Sequence, residues 1–584
     1  MKTQLKTAIA NSIAALQNDN KLPLDLNVSI QIERARDPRH GDFACNIALI
    51  LGKQCKQNPQ QLADDIVAHL PKIEGVEAVT VAKPGFINFS LADSTLQQVI
   101  PLILAQAEDY GRSNQGAGRR IHVEVVSANP TGPLHVGHGR LAAFSASCAN
   151  LLEAYGFQVH REYYVNDAGR QMRILAVSVW LRYLELFGES ITIPRRGYKG
   201  DYIIEIAREL KIQAGERFYK PAAEVYAQLP PDDETTEESY VDSLITRAEQ
   251  LLGIKEFAVV FEHGLNSILR DIHDDLLQFG VSCQTWFRES QLHTTGDITR
   301  GIEKLRQSGY LYEKDGATWF RSTDFGDEKD RVVVRENGQP TYFASDVGYH
   351  LNKLERGFDE LLDIYGADHH GYIPRLRALV TALGENVDKV KVLLVQFAIL
   401  YRGKTRVSMS TRGGEFVTLR ELRNEVGNDA ARFFYIMRRR DQHLDFDLEL
   451  AKSQSSDNPV YYIQYAHARI CSVFRQLQQK QWQWDSVQGK ASVHLLNNTH
   501  EKDLLNSLSR YPEIIETAAT AYEPGIVAHY LQELANHFHA YYNAHSFLVD
   551  DAALRNARLS LITATRQVLH NGLTLLGLTA PNMM

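Results

Sequence analysis

The clearest pattern in the chain is a short apolar run that gives way to a turn and then to a helical repeat. Mostly β-branched, apolar residues at 121–126 predict a strand. Asn129-Pro130 and Gly132-Pro133 then predict a tight turn. Beyond it, apolar residues recur at helical spacing until Gly156, namely Leu141, Phe144, Cys148, Leu151, Leu152 and Tyr155. The pattern therefore predicts a strand, a loop and a helix.

Two histidines, His135 and His138, lie where this helix is predicted to begin. A helix N-terminus presents free N–H groups and partial positive charge, so it suits a phosphate, and two imidazoles can add hydrogen bonds to a nucleotide triphosphate. A dinucleotide fold would need G-x-G-x-x-G here, but Gly116 and Gly118 precede the strand. A zinc site would need further ligands at the usual spacings, which are missing. Capping or surface histidines remain the alternative.

Residues 1–110 predict a small α/β unit, in which residues 84–91 form a strand with Phe86, Asn88 and Ser90 facing outward. An exposed Phe beside an Asn can stack on a base and bind its edge, although Phe86 could equally pack under a helix.

The region from 115 to 410 predicts alternating strands and helices around a helix-rich insertion at about 170–300, which contains a solvated acidic loop at 230–238. Outside this insertion the pattern continues at residues 159–165, 331–334, 341–346 and 361–370. Strands that alternate with helices predict a parallel sheet, whose ligands lie beyond the carboxyl ends of the strands.

The remainder, from residue 411, predicts helices, one of which begins at Pro524. Its predicted apolar face comprises Ile526, Val527, Tyr530, Leu531, Leu534, Phe538 and Tyr541.

The amino-acid composition indicates a globular protein and says little more about its function. The 584 residues are 44% hydrophobic and 23% charged, which predicts three or four ordinary domains. Without an apolar run of about 18 residues, no membrane association is expected. Five scattered cysteines predict buried thiols in a reducing cytoplasm. The net charge of −8 leaves local nucleic-acid binding possible, because salt screens distant charges.

Residues 127–138, Ser-Ala-Asn-Pro-Thr-Gly-Pro-Leu-His-Val-Gly-His, resemble the HIGH motif of class I aminoacyl-tRNA synthetases, in the form found in arginyl-tRNA synthetases of bacterial type. Further similarities run in order along the whole chain. The resemblance implies an α/β fold: a Rossmann-like, parallel-sheet catalytic domain at 115–410 with its helical insertion. It also implies a small α/β domain at 1–110 that contacts the tRNA D-loop, a stem-contact region at 411–455 and a helical anticodon-binding bundle at 456–584.

The same resemblance implies an ATP site in which His135, His138 and Arg412 are catalytic. Its ATP-binding positions are Pro130, Gly132, His135, Gly137, His138, Met409 and Ser410. Residues 408–412 resemble a KMSKS loop in which Ser408 and Thr411 replace both lysines. Some relatives carry a compensating lysine three residues before the first HIGH histidine, where this chain has Gly132. We therefore expect Lys404, Arg406 or Arg412 to supply the cation for the leaving pyrophosphate.

A guanidinium pocket is predicted from Glu124, Tyr342 and Asp346. Buried Glu124 would be costly unless paired, and Tyr342 and Asp346 would share one face of a helix. Two carboxylates and an aromatic wall suit a planar fork of donors, although a solvated strand end and core packing are the alternatives.

By resemblance, Glu124 and Asn129 bind the amino-acid end of arginine, and Tyr342 and Asp346 bind its guanidinium side. The remaining arginine-binding candidates are Ser127, His369 and His370, of which the last two could also form a metal pair.

For tRNA, the resemblance assigns Phe86 and Asn88 to a D-loop nucleotide. Tyr462, Tyr465 and Arg469 are candidates for the anticodon loop, with helix packing as the alternative.

The predicted function is arginine–tRNA ligation in the cytoplasm by a monomer, using ATP, Mg²⁺, arginine and tRNA(Arg), with no protein-bound metal site. The family generally activates arginine only when tRNA is present, so tRNA-dependent exchange of pyrophosphate is expected. The alternatives are a class I synthetase for another amino acid and a non-catalytic tRNA-binding relative.

Overall fold

The computed structural model describes residues 1–26, 28–35, 37–407 and 417–584. The chain forms two compact units. The first comprises Met1–Tyr110, Arg469–Tyr511 and Leu534–Val568, and the second comprises Gly111–Ala468, Pro512–Glu533 and Leu569–Met584.

The described strands are β1 (Ile32–Arg34), β2 (Phe43–Cys45), β3 (Val76–Ala82), β4 (Phe86–Leu91), β5 (Arg120–Glu124), β6 (Gln158–Val165), β7 (Thr285–Arg288), β8 (Leu311–Lys314), β9 (Ala317–Phe320), β10 (Arg331–Val334), β11 (Glu360–Gly366), β12 (Val390–Val395), β13 (Ala398–Arg402), β14 (Thr405–Arg406) and β15 (Leu444–Asp447).

The described α-helices are α1 (Lys2–Asn18), α2 (Ile47–Cys55), α3 (Pro59–Ala68), α4 (Asp93–Gln97), α5 (Val99–Gln106), α6 (Val136–Tyr155), α7 (Arg170–Glu185), α8 (Asp201–Ala214), α9 (Ala222–Val225), α10 (Glu237–Leu252), α11 (Ile254–Gln278), α12 (Glu289–Thr294), α13 (Asp297–Gln307), α14 (Tyr342–Glu355), α15 (Tyr372–Ala382), α16 (Leu419–Val426), α17 (Asn428–Ile436), α18 (Leu448–Lys452), α19 (Pro459–Gln479), α20 (Ser486–Ala491), α21 (Thr499–Ala521), α22 (Gly525–Ala544) and α23 (Ala552–Leu575).

The N-terminal part of the first unit contains an antiparallel sheet in the order β1-β2-β4-β3. The prediction that Phe86, Asn88 and Ser90 all face outward was wrong for Asn88. Phe86 is 37% exposed, whereas Asn88 is only 4% exposed. The difference arises because β4 is a central strand, in which Asn88 lies between Ala44 of β2 and Thr80 of β3.

The second unit is built on a five-stranded parallel sheet in the order β12-β11-β5-β6-β7. The chain passes outward from β5 to β6 and β7, and later returns to β11 on the other side of β5. This reversal places a topological switch point between β5 and β11, where open α/β sheets bind their ligands. The predicted parallel-sheet class is confirmed, and β5, with Ile121 and Val123 fully buried, is its central strand.

Two strand assignments differ from the sequence pattern. The β10 segment was expected in the parallel sheet but pairs with β9 in a separate antiparallel sheet, β10-β9-β8. Conversely, β7 joins the parallel sheet from within the stretch that was predicted to be helical. A strand of four residues between long helices carries too few residues to show a period of two, which explains the omission.

The acidic loop of the predicted insertion is largely exposed, as expected, with Asp233 and Glu234 both exposed. At its end, at the start of helix α10, Glu238 forms ion pairs with Arg170 at 2.8 Å and Arg196 at 2.9 Å. These ion pairs connect the end of the loop to residues that are distant in sequence.

The described segments from residue 417 onward are helical, as predicted, except for strand β15, which pairs with β13. Six of the seven predicted apolar positions of the helix after Pro524 are buried, and these are Val527, Tyr530, Leu531, Leu534, Phe538 and Tyr541. Helix α19 carries Tyr462, Tyr465 and Arg469, all half-buried. The Arg469 guanidinium lies 4.5 Å from the ring centroid of Tyr542, so part of this side chain packs within the helices. Across the described segments, no helix is long and apolar enough to cross a membrane.

Candidate active site

Strand β5 ends in an abrupt change of backbone direction. Val126 and Ser127 both have positive φ angles, 63° and 46°, which are rare for residues other than glycine and costly for a β-branched side chain. The Ser127 hydroxyl accepts a hydrogen bond from the N–H of Tyr164 at 3.0 Å, and this contact secures the bend. The bend carries the chain out of the sheet and into the loop that ends at helix α6.

The two predicted histidines form one compact unit at the start of helix α6. His135 is the N-cap, and its Nδ1 accepts a hydrogen bond from the N–H of Gly137 at 3.1 Å. In return, Nδ1 of His138 accepts from the N–H of His135 at 3.3 Å. The two rings are stacked with their centroids 3.6 Å apart. The capping alternative is therefore real, and it also fixes how both rings are oriented.

Both imidazoles are neutral and have a defined tautomer. Burial lowers the pKa of His135 below its usual value, and burial together with the neighbouring His135 lowers the pKa of His138 to about 3. Because each Nδ1 accepts a backbone hydrogen bond, the single ring proton lies on Nε2. Each ring can thus donate a hydrogen bond from Nε2 without carrying a charge of its own.

The histidine loop is held by the chain that follows the KMSKS-like segment. Leu419 donates from its N–H to the carbonyl of Leu134 at 2.7 Å, and Val136 donates to the carbonyl of Val417 at 3.2 Å. The predicted Met409, Ser410 and Arg412 lie outside the described residues.

Two further cationic candidates, Lys404 and Arg406, are exposed on the β13–β14 hairpin that precedes that segment. The residues that follow the predicted KMSKS-like segment, Val417 and Leu419, are hydrogen-bonded to the histidine loop.

Gly132 is closely covered by the helical insertion. The Tyr202 hydroxyl donates to the carbonyl of Thr131 at 2.8 Å, and a Cβ atom at Gly132 would lie 3.0 Å from that hydroxyl. The position where some relatives carry a lysine is thus packed against Tyr202, while neighbouring Pro130 is buried.

Glu124 lies in a row of buried carboxylates across the sheet. Asp363 of β11, Glu124 of β5 and Glu162 of β6 are neighbours in register. Lys353 lies between two of them, 2.7 Å from Glu124 and 2.8 Å from Asp363, and Arg356 lies 2.7 Å from Glu162. The pairing that the sequence argument required for Glu124 therefore exists, and its partner is a lysine that the sequence analysis missed.

A second pair of carboxylates, Asp346 and Glu289, forms no ion pair within the described ranges of the chain. Burial raises the pKa of Asp346 to about 6, further raised by Glu289 and only partly offset by His350 and Arg375. Burial also raises the pKa of Glu289, the first residue of helix α12, which is 3% exposed. Glu289 escaped the sequence analysis because it directly follows the unrecognised strand β7.

Tyr164 interacts with three of these carboxylates. Its pKa is raised first by burial and then by the negative charges of Glu289, Asp346 and Glu124. Its hydroxyl is hydrogen-bonded to Glu289. The carboxylates of Glu124 and Asp346, from segments far apart in the sequence, therefore surround the same tyrosine.

The predicted arginine-binding residues Tyr342, Asn129, His369 and His370 are exposed. Tyr342 begins helix α14 and is 59% exposed, and Asn129 is exposed and donates to Gln171 at 3.4 Å. His369 and His370 are also exposed, after the carboxyl end of β11. The Tyr365 and His369 rings lie 5.6 Å apart.

In the first unit, Phe86 and Asn88 line a cavity of about 530 Å³. Its wall carries the cations Arg34 and Lys83, the titratable His40 and the carboxylates of Glu33 and Asp37. The side-chain oxygen of Asn46, another wall residue, is buried without a hydrogen-bond partner among the described residues. An aromatic face and an unused acceptor suit a nucleobase.

Comparison with known proteins extends these observations to the whole chain. Residues 99–452 match the model of the class I (R) tRNA synthetase catalytic domain, residues 3–91 the arginyl-tRNA synthetase N-terminal domain, and residues 463–584 the DALR anticodon-binding domain. The paired histidines lie within residues 99–452, at the start of helix α6 and at the switch point of the parallel sheet. Together, this match and this site define the chain as a class I aminoacyl-tRNA synthetase.

Relatives that align over the full length show which family within this class the chain belongs to. The chain is 58% identical to the arginine–tRNA ligase of Thioalkalivibrio sulfidiphilus over 100% of both chains. It is 56% identical to the arginine–tRNA ligase of Coxiella burnetii strain RSA 331, again over 100% of both. The Thermus thermophilus arginyl-tRNA synthetase structure shares the fold at 22% identity, with a TM-score of 0.75 and 100% of both chains covered. The chain belongs to the arginyl-tRNA synthetase family.

Proposed function

We propose that the chain is an arginine–tRNA ligase that activates arginine with ATP and transfers it to the 3′-terminal adenosine of tRNA(Arg). The observation that carries this proposal is the pair of interacting carboxylates, half-buried Asp346 and buried Glu289, which both have raised pKa values. Two relatives with the name arginine–tRNA ligase, aligned over the full length, support the same reaction.

Arginine recognition follows from the charges of these carboxylates. Glu124 is paired with Lys353, which it shares with Asp363, whereas Asp346 and Glu289 both have raised pKa values because burial disfavours their charged forms. A guanidinium placed between Asp346 and Glu289 would supply the missing positive charge and a planar fork of donors. Tyr342 would cover its face, and Glu124, Ser127 and Asn129 would bind the amino-acid end.

The activation step needs positioned groups and no covalent catalyst. A carboxylate oxygen of arginine attacks the α-phosphorus of ATP, the bond from this phosphorus to the bridging oxygen breaks, and pyrophosphate leaves. Neutral His135 and His138, each with its proton on Nε2, would donate to the phosphate oxygens as negative charge moves onto pyrophosphate. We propose that Arg412, Lys404 or Arg406 provides the cation that the missing KMSKS lysines provide in relatives.

In the transfer step, a ribose hydroxyl of the terminal adenosine attacks the carbonyl carbon of arginyl-adenylate. AMP leaves with the electrons of the broken C–O bond, and the hydroxyl proton leaves with the products.

Magnesium is proposed to enter as part of the substrate. In the described parts of the chain, no group of three or more His, Cys, Asp or Glu side chains is arranged to hold a metal ion. Mg²⁺ favours phosphate oxygens and water over an all-protein cage, so we expect ATP to bring it. His369 and His370 are proposed to line the pocket rather than to bind a metal.

We propose that the N-terminal cavity, with Phe86 and Asn88, binds a D-loop nucleotide of tRNA, and that Tyr462, Tyr465 and Arg469 contact the anticodon loop. The cavity's aromatic face and the unused acceptor of Asn46 support the first assignment. A monomer working in the cytoplasm is proposed, and the five scattered cysteines fit a reducing compartment.

An aminoacylation assay with all twenty amino acids tests the function. We expect the purified chain to charge tRNA(Arg) with arginine alone, to reject lysine strongly, and to catalyse arginine-dependent pyrophosphate exchange only when tRNA is present. Binding of tRNA without charging or exchange would support the non-catalytic alternative, and charging with another amino acid would contradict the arginine pocket.

A further inference from the structure

One face of helix α14 carries two proposed arginine-binding side chains near its start and two basic side chains farther along. Tyr342 and Asp346 lie in its first turns, and His350 and Lys353 follow at spacings of four and three residues. Side chains at these spacings share one face of a helix. The face that would meet arginine therefore also contacts the parallel sheet, through Lys353.

Lys353 joins this helix to two strands at once. Its ammonium nitrogen lies 2.7 Å from Oε2 of Glu124 on β5 and 2.8 Å from Oδ1 of Asp363 on β11, and its side chain is 0% exposed. Although burial opposes the charge, the fields of Asp363 and Glu124 raise the pKa of Lys353 to about 12. The ammonium is therefore charged near neutral pH.

His350 extends this connection to the substrate-binding half of the helix. Its Nδ1 lies 2.9 Å from the carbonyl oxygen of Asp346, and its Nε2 lies 3.2 Å from Oδ2 of Asp363. The backbone at Asp346 is thus linked to the same carboxylate that Lys353 holds.

We propose that Lys353 is a positioning residue for arginine: its ammonium fixes helix α14 on strands β5 and β11 and so sets the separation of Asp346 from Glu124. The proposal rests on the arginine site described under Proposed function. The ammonium is needed at this position because Glu124 and Asp363 are neighbouring carboxylates that would repel one another without it. Removing that ammonium would shift both Glu124 and the helix that carries Asp346.

The test compares Lys353→Met, which keeps the length of the side chain and removes its charge, with Arg356→Met as a matched control. Arg356 contacts Glu162 of the same carboxylate row, directly after the end of helix α14, but no proposed arginine ligand. In aminoacylation assays we expect Lys353→Met to raise the KM for arginine at least tenfold and to leave the KM for ATP within twofold. Arg356→Met should lower the melting temperature while both KM values stay within twofold.

If Lys353→Met does not fold, the double variant Lys353→Met with Asp363→Asn removes one cation and one anion together. We expect it to fold and still to show the raised KM for arginine, because Glu124 has lost its partner. A return to the wild-type KM would overturn the proposal, since Lys353 would then serve only to neutralise Asp363. Equal rises in the KM values for arginine and ATP, or equal effects of the two single variants, would also overturn it. Wild-type protein that fails to charge arginine would instead overturn the proposed function.

Discussion

Replacing Asp346 with asparagine separates arginine binding from stability, because the variant keeps the shape of the side chain and removes its charge. The pKa of Asp346 is raised from 3.8 to about 6, mainly by burial. This rise corresponds to roughly 3 kcal/mol against the charged form in the absence of arginine. Since the pKa is raised in the folded protein, the stabilising contribution exists below about pH 4 and is lost as the pH rises through about 6. Asp346→Asn should therefore melt at a higher temperature than wild type at pH 8 without arginine.

The same variant should bind arginine far more weakly. Removing one partner of a buried ion pair costs about 3–5 kcal/mol, equivalent to a loss of roughly a hundred- to several-thousandfold in kcat/KM for arginine. Wild-type kcat/KM should also fall about tenfold for each pH unit below about 6, as Asp346 becomes protonated, and the variant should lack this decline.

The measurements are tRNA charging with arginine varied at saturating ATP and tRNA, and thermal melting with and without arginine. Arginine should raise the melting temperature of wild type more than that of the variant. A kcat/KM within tenfold of wild type would refute the guanidinium role of Asp346. A lower melting temperature for the variant at pH 8 would refute the argument from its burial.

Three further substitutions test the other parts of the site. Glu289→Gln should raise the KM for arginine about tenfold or more in tRNA-dependent pyrophosphate exchange, and an unchanged value would remove Glu289 from the pocket. His138→Ala removes a phosphate donor, so kcat should fall roughly ten- to a hundredfold with little change in the KM for arginine, and full activity would contradict the donor role. Phe86→Ala removes a stacking surface valued at about 1–3 kcal/mol, so the KM for tRNA should rise at least fivefold in charging assays while that for arginine does not change. An unaltered KM for tRNA would count against the D-loop assignment.

Local patterns were enough to predict the elements that carry the site. The strand, loop and helix around His135 follow from β-branched residues, proline turns and a helical repeat, each of which is a property of neighbouring residues. The spacing of Tyr342 and Asp346 similarly predicts their shared helical face, and helix α14 begins at Tyr342.

Long-range pairing was beyond the reach of these patterns. Lys353 is the partner of Glu124 although 229 positions separate them, and on its own helix it resembles any other lysine. Glu289 was missed for a related reason, because its position at a strand end becomes visible only when the four-residue strand β7 is placed in the sheet. Only the three-dimensional structure shows which carboxylates have a cation beside them and which do not.

The central claim, that Asp346 and Glu289 together bind the guanidinium of arginine, is tested most directly by a crystal structure of the protein with arginine bound. We expect guanidinium nitrogens within about 3 Å of a carboxylate oxygen of each residue. A guanidinium that contacts neither residue would contradict the account.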